Sequence, residues 1–365
     1  MIDCREHIDA LFQSADLLGL FAEQSSEFLV TSDSVTFISP DGSCVIGLSS
    51  QLFECDFYWS EIPLQKQQMG LYFNALGKDS IFLKERTFEL VTKKNRNKIA
   101  HQAMFCVALW LNFTVEDAAV LASAYSVSYC IQATSFGQWP RDFHFFPTVL
   151  QNVKCNFLPL PSGDFSFYPI VNSVDWISEI TKVKASIVQL RMKKSSPFCV
   201  EEAIQTAVSM CNRIIVNDHW QMAIKHQAFG VHLGQEDMVT ADFIAIQKSS
   251  LRLGLSTHGY YEILKAMALK PSYIALGHVF PTPTKIMPSQ PQGLARLRLY
   301  QTLIGERFPT FAIGGMDLKH ASSVYKTGVT GIAAVRCVIQ ADSIQEVFEQ
   351  FLQTKKASQR EVYAE

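Results

Sequence analysis

Charge of neither sign prevails in this chain of 365 residues: 32 lysines and arginines face 34 acidic residues, a formal net charge of −2. That balance excludes a global basic field for nucleic acid or for an anionic membrane surface, so any phosphate must be met by a local cluster. No run approaches the ~20 uninterrupted apolar residues that a membrane span needs. The first residues, Met1-Ile-Asp-Cys-Arg-Glu-His, lack a basic stretch followed by an apolar one. A cytoplasmic protein with neither membrane nor nucleic-acid partners is expected. The nine cysteines include no Cys-x-x-Cys and mostly sit in apolar runs, which argues for reduced, buried thiols over disulfides or zinc. With 48% hydrophobic residues, disorder is excluded and two cores can be filled.

What is present divides in two. Residues 1–155 read as a smaller α+β domain. Short β-type runs (Glu27 to Thr31, Ser34 to Ser39, Cys44 to Leu48) are broken by Ser, Asp, Pro and Gly, and a helical pair lies between Lys98 and Ala133. Thr114-Val-Glu-Asp offers an N-cap to the second helix. The proline-punctuated stretch from Phe145 to Asp164 reads as a linker. From residue 165 to 353, eight apolar runs alternate with amphipathic helical stretches. They are 168–171, 186–191, 213–217, 229–233, 251–255, 273–277, 310–313 and 331–335. This order predicts an α/β fold, a parallel (β/α)8 TIM barrel, although an open doubly wound sheet shares its local grammar. The polar tail, 354–365, is expected to fray.

The strand ends carry the chemistry. Gln189, Arg191 and Lys193 alternate with Leu190 and Met192, so period-two geometry puts all three polar groups on one face, the interior in a barrel. An Arg fork and a Lys ammonium suit a pyrophosphate, whereas the plain reading is the wet face of an antiparallel strand. Ile214-Ile-Val-Asn217-Asp218 and Gly230-Val-His-Leu-Gly-Gln-Glu-Asp237 are apolar strands with acidic tips. Asp218 and Asp237 could bind Mg²⁺ together with phosphate oxygens, cap helices, or form an acid/base pair. Ser256 or Thr257 could cap a helix, meet an anion, or both. Two prolines would stiffen the loop holding Thr282, Thr284 and Lys285. Gly314-Gly315 and Ala334-Val335-Arg336 occupy the two loops where barrels often bind phosphate. His232 reads as facing a partner inside the barrel, and His258 is unassigned.

Taken in order, Gln189-Leu-Arg-Met-Lys193, Val216-Asn-Asp218, Gly230 to Asp237, Gly254-Leu-Ser-Thr-His258, Phe280-Pro-Thr-Pro-Thr-Lys285, Gln292-Gly293 and Ala312-Ile-Gly-Gly315 closely resemble the motif series of thiamine phosphate synthases. The resemblance covers roughly half the chain. It implies a (β/α)8 enzyme that joins hydroxymethylpyrimidine diphosphate to a thiazole phosphate, giving thiamine phosphate and pyrophosphate by dissociative substitution. It assigns Gln189, Leu190, Arg191, Met192, Lys193, Asn217, Ser256 and Lys285 to the pyrimidine diphosphate. Of these, Arg191, Lys193, Ser256 and Lys285 are the catalytic candidates. Thr282, Pro283, Thr284, Gly315, Val335 and Arg336 fall to the thiazole phosphate, and Asp218 and Asp237 to Mg²⁺. His278 departs from the usual proline. Residues 103–129 faintly resemble the last helices of ribokinase-like hydroxymethylpyrimidine kinases. Lys94-Asn-Arg-Asn-Lys-Ile supplies neither their Gly-rich anion hole nor their aspartate base, which suggests a degenerate remnant serving packing, oligomerisation or regulation. Two other functions compete: a thiazole tautomerase-like isomerase, which need not keep the diphosphate set, and a non-catalytic thiamine-precursor sensor. Self-association as a homo-oligomer stays open.

Overall fold

The computed structural model describes residues 3–20, 27–39, 42–48, 55–61, 64, 68–84, 86–151, 153–183, 185–193, 196–282 and 290–362. Contacts divide the chain into two units, 1–151 with 259–265, and 152–258 with 266–365. No helix among the described residues is long and apolar enough to cross a membrane.

The first unit opens with α1 (Cys4–Leu17), which the local reading missed although its start is written in the sequence. Asp3 accepts the Glu6 amide and the Glu6 carboxylate accepts the Asp3 amide, a complete capping box. An eight-stranded sheet follows in chain order: β1 (Glu27–Val30), β2 (Ser34–Ser39), β3 (Gly42–Gly47), β4 (Phe57–Ser60), β5 (Gly70–Tyr72), β6 (Lys78–Phe82), β7 (Thr87–Val91) and β8 (Thr148–Val149). It is antiparallel except where β4 pairs parallel with β3 and β5. The expected helical pair is α2 (Lys98–Trp110), capped by Asn97, and α3 (Val115–Ile131), capped by Thr114.

Under this sheet lies a charged cluster with no exposed side chain. Arg96 makes a two-pronged ion pair to Asp79, at 2.5 and 3.0 Å, and also donates to the Asn74 carbonyl. Ser123 Oγ donates to the same carboxylate at 3.0 Å, His101 Nε2 stands 3.4 Å from it, and the Trp59 indole donates to His101 Nδ1 at 3.0 Å. Buried charge survives only with such pairing, which here leaves Arg96 Nε and His101 Nε2 without a hydrogen bond among the described residues. Burial works against ionisation of Asp79, but His101 and Arg96 outweigh it and take the carboxyl down to about 2.

The second unit is a closed parallel barrel of β9 (Phe167–Val171), β10 (Val188–Leu190), β11 (Ile214–Asn217), β12 (Gly230–Leu233), β13 (Arg252–Thr257), β14 (Tyr273–Gly277), β15 (Thr310–Ile313) and β16 (Gly331–Ala334). Every strand from β9 to β16 except β13 is buried or nearly so along its length, and such strands read as continuous apolar runs. Tyr168, Tyr273 and Phe311 fill the interior edge to face, with ring centroids 5.0–5.7 Å apart. Gly254 makes room for them. A Cβ there would lie 2.0 Å from Tyr273 Cζ and 2.3 Å from its hydroxyl. Gly254→Ala is therefore expected to overpack the barrel by about 1–3 kcal/mol, read as a lower thermal midpoint; an unchanged midpoint would contradict the packing described.

Two expectations are corrected. β10 ends at Leu190, with the Arg191 amide adding one last ladder bond to the Val171 carbonyl at 2.7 Å. Within the strand only Gln189 is thus fixed on the inner face, where it bonds Tyr168, although the Arg191 charge is also felt by the buried His232. The tail does not fray from residue 354, because the last helix runs Ile344–Val362, with Lys355 donating to the Thr330 carbonyl at 2.7 Å and Ser358 buried.

Candidate functional site

The carboxyl ends of β10 to β13 bring the polar side chains together. Asp218 follows Asn217 at the end of β11 with φ of 64°, a left-handed conformation that aspartate and asparagine adopt more readily than most residues. Its amide donates to the His232 carbonyl at 2.9 Å, carrying the β11–β12 pairing one residue past the strand. Lys193 Nζ reaches Asp218 Oδ2 at 2.6 Å. Asp237 opens a short 3-10 turn, Asp237–Val239, and accepts the Gly234 amide at 3.3 Å. Its carboxyl is within hydrogen-bonding reach of Asp218.

The two acids are not equivalent. Burial raises both, but the Lys193 ammonium overcomes it at Asp218 and holds that carboxyl below its usual range. Asp237, raised by burial and then by the neighbouring negative charge, stands above its own. Two hard carboxylates forced together, with an ammonium on one of them, form a donor set that a divalent cation would relieve. Among the described residues no group of three or more His, Cys, Asp or Glu could hold a metal ion. A cation here would complete its shell with water and substrate oxygens, as magnesium commonly does.

Beneath the acids, a row of hydrogen bonds runs through the barrel. Gln189 Nε2 donates to Tyr168 Oη at 3.0 Å, and Tyr168 Oη lies 2.8 Å from Tyr273 Oη. Tyr273 Oη is 3.0 Å from His232 Nδ1, and His232 Nε2 is 2.8 Å from Ser256 Oγ. All but Ser256 are buried. Burial pushes His232 down to about 4, against the pull of Asp218 and with the help of Arg191, so its ring is neutral near pH 7. Ser256 is further held by Gln235, whose Nε2 donates to its carbonyl at 2.8 Å. Neither Ser256 nor Thr257 caps a helix through a described bond; Thr257 Oγ1 donates to the Ala275 carbonyl at 3.1 Å. Tyr168 and Tyr273 had not been singled out from the sequence. The available signal was Gly254 inside a strand, which marks a close approach.

Loops six and seven are laced together. The Val279 and Phe280 amides donate to the Ile313 and Gly314 carbonyls at 3.0 Å each. Gln292 Nε2 donates to the Gly277 and His258 carbonyls at 2.6 and 2.9 Å. Gly315 is left-handed, and a Cβ there would stand 2.6 Å from Phe280 Cβ, so the residue sits directly against the segment leading to Thr282. Pro283, Thr284 and Lys285 lie outside the described residues. Arg336 begins the four-residue helix Arg336–Ile339, with Val335 preceding it. Leu190 is buried, and strand parity turns its side chain away from Gln189, so only its main chain could face a ligand. Two cavities, of ≈ 610 and ≈ 600 Å³, lie elsewhere, ahead of β10 to β13, lined in part by Ser186, Arg213, Phe229 and Arg252.

Comparison with known proteins places this site in context. A family model described as thiamine monophosphate synthase matches residues 167–338. The thiamine-phosphate synthase of Cronobacter sakazakii is 49% identical over 189 residues, 51% of this chain and 89% of that protein. The Proteus mirabilis thiamine-phosphate synthase is 48% identical over 184 residues, 49% and 85% respectively. Among solved structures, a thiamine phosphate pyrophosphorylase from Pyrococcus furiosus aligns over 53% of this chain and 97% of its own, with 27% identity and a TM-score of 0.46.

Proposed function

Because the chain belongs to the thiamine monophosphate synthase family, we infer that its barrel is a transferase that joins hydroxymethylpyrimidine diphosphate to thiazole phosphate, making thiamine phosphate and pyrophosphate. The observation that carries this reading is the meeting of Lys193, Asp218 and Asp237 at the barrel's carboxyl end, beside Ser256 and Asn217, in a stretch of 189 residues that is 49% identical to a named synthase. A tautomerase-like isomerase would have no use for that diphosphate set.

The bond between the pyrimidine methylene and the diphosphate oxygen breaks with its electron pair leaving on pyrophosphate. The thiazole nitrogen lone pair then forms the new carbon–nitrogen bond. No protein nucleophile takes part. The work left to the residues is to stabilise negative charge growing on the leaving oxygens, a contribution of preorganised electrostatics. Arg191, Lys193 and Lys285 supply cations, and Asn217 and Ser256 supply uncharged donors. Gln189, Leu190 and Met192 border the same substrate. Thr282, Pro283, Thr284, Gly315, Val335 and Arg336 are assigned to the thiazole phosphate, largely through main-chain amides. Asp218 and Asp237 would hold Mg²⁺, which adds Lewis-acid charge at the diphosphate. A cytoplasmic setting, small-molecule substrates as partners and a packing, oligomerisation or regulatory role for residues 1–155 belong to the same proposal.

The test is the purified full chain with both substrates and Mg²⁺. Thiamine phosphate and pyrophosphate should appear in equal amounts. Binding of both substrates without product would overturn the transferase reading in favour of a sensor.

A further inference from the structure

Counting protons along the buried row fixes its direction, and we propose that Tyr168, Tyr273 and His232 are positioning residues that hold the Ser256 hydroxyl as a hydrogen-bond donor toward the diphosphate. The inference rests on the substrate reading above and adds residues that it does not contain. An amide nitrogen offers protons and accepts none, so Gln189 Nε2 can only donate to Tyr168. Tyr168 has a single proton left to place, and Tyr273 Oη at 2.8 Å takes it. Tyr273 in turn donates to His232 Nδ1 at 3.0 Å. An imidazole that accepts at Nδ1 carries its proton on Nε2, so His232 donates to Ser256 Oγ at 2.8 Å.

Ser256 Oγ is thereby engaged as an acceptor, and its own proton remains to be given. The described hydrogen bonds of that hydroxyl include no acceptor for it. Ser256 is half-buried near the end of β13, the same end of the barrel that carries Asp218 and Asp237. The reverse direction fails on the same count. It would aim protons from both Gln189 and Tyr273 at Tyr168 and strand the Tyr168 proton in a buried site, where an unmade hydrogen bond is costly. A doubly protonated His232 fails likewise, because it would force Tyr273 to donate back to Tyr168. Gly254 belongs to the arrangement, since any side chain there would displace the Tyr273 ring that sets the direction.

The direction is read by ¹⁵N NMR of the His232 ring in the full chain, without any substitution: the proton is expected on Nε2. In Tyr273→Phe the donor to Nδ1 is gone, and the ring should become a mixture of tautomers. The KM for the pyrimidine diphosphate should rise about tenfold, the scale of one hydrogen bond to a charged group, with the KM for thiazole phosphate unchanged. His232→Leu should match Tyr273→Phe, whereas His232→Gln, which keeps an N–H where Nε2 stood but loses the acceptor for Tyr273, should recover part of that loss. Ser256→Ala should add little to Tyr273→Phe, because the two act through one contact. A wild-type ring protonated on Nδ1, or Tyr273→Phe with unaltered kinetics, overturns the proposal. An Nε2 proton in a wild-type chain that makes no product would count against the transferase reading while supporting the direction of the row.

Discussion

Asp218→Asn is expected to cut thiamine phosphate formation by at least about a hundredfold, since metal-borne charge stabilisation is worth several kcal/mol. Asparagine tolerates the left-handed backbone at 218, so the substitution removes charge without adding strain. The fold should barely respond. The Lys193–Asp218 pair is half-exposed on the lysine side, and such pairs contribute less than about 1 kcal/mol. The thermal midpoint should therefore move by only a few degrees while turnover collapses. Chelating Mg²⁺ should silence the wild type in the same way, and excess Mg²⁺ should partly rescue the variant. A wild-type rate in Asp218→Asn would remove both the metal assignment and the electrostatic account of leaving-group departure.

Asp79→Ala should do the opposite, striking stability at a distance in sequence from every barrel residue named above. Removing the carboxylate leaves the Arg96 guanidinium with neither of its two ionic bonds and wholly enclosed. An uncompensated buried charge of this kind costs about 3–5 kcal/mol. Urea unfolding followed by hydrogen exchange should show residues 68–131 opening far more readily than in the wild type. The pH dependence has a definite sign. The Asp79 carboxyl is depressed from an ordinary 3.8 to about 2, so its contribution is fully present above 3.8 and is lost as pH falls toward 2. The variant should lack that part of the acid transition. Equal urea midpoints for the two proteins would refute the account of the cluster.

The barrel was legible because parallel strands covered on both faces are near-continuous apolar runs, and all eight appear where such runs stand. The sheet of the first unit was only partly legible. β4 and β5 are only four and three residues long, and β6 to β8 mix exposed with buried positions, as in Lys78–Phe82, so their apolar signal is diluted. Local periodicity also overreached. The alternation from Gln189 to Lys193 looked like one strand, but β10 ends at Leu190, and Lys193 finds Asp218 by a loop path that no period encodes. The chemical types in the site could be read one at a time. Their pairing could not, because the contact of Asp218 with Asp237 depends on the side-by-side pairing of β11 with β12, and the Asp79 cluster depends on residues up to 64 positions apart, from Trp59 to Ser123.

The space at Gly254 also constrains how this chain can diverge. A lineage that gains a side chain at 254 keeps its barrel only after shrinking residue 273, since the two positions face each other across adjacent strands. Shrinking residue 273 removes the hydroxyl beside His232. Volume and hydrogen bonding are thus inherited as one trait, and homologous barrels should change these two positions together or not at all.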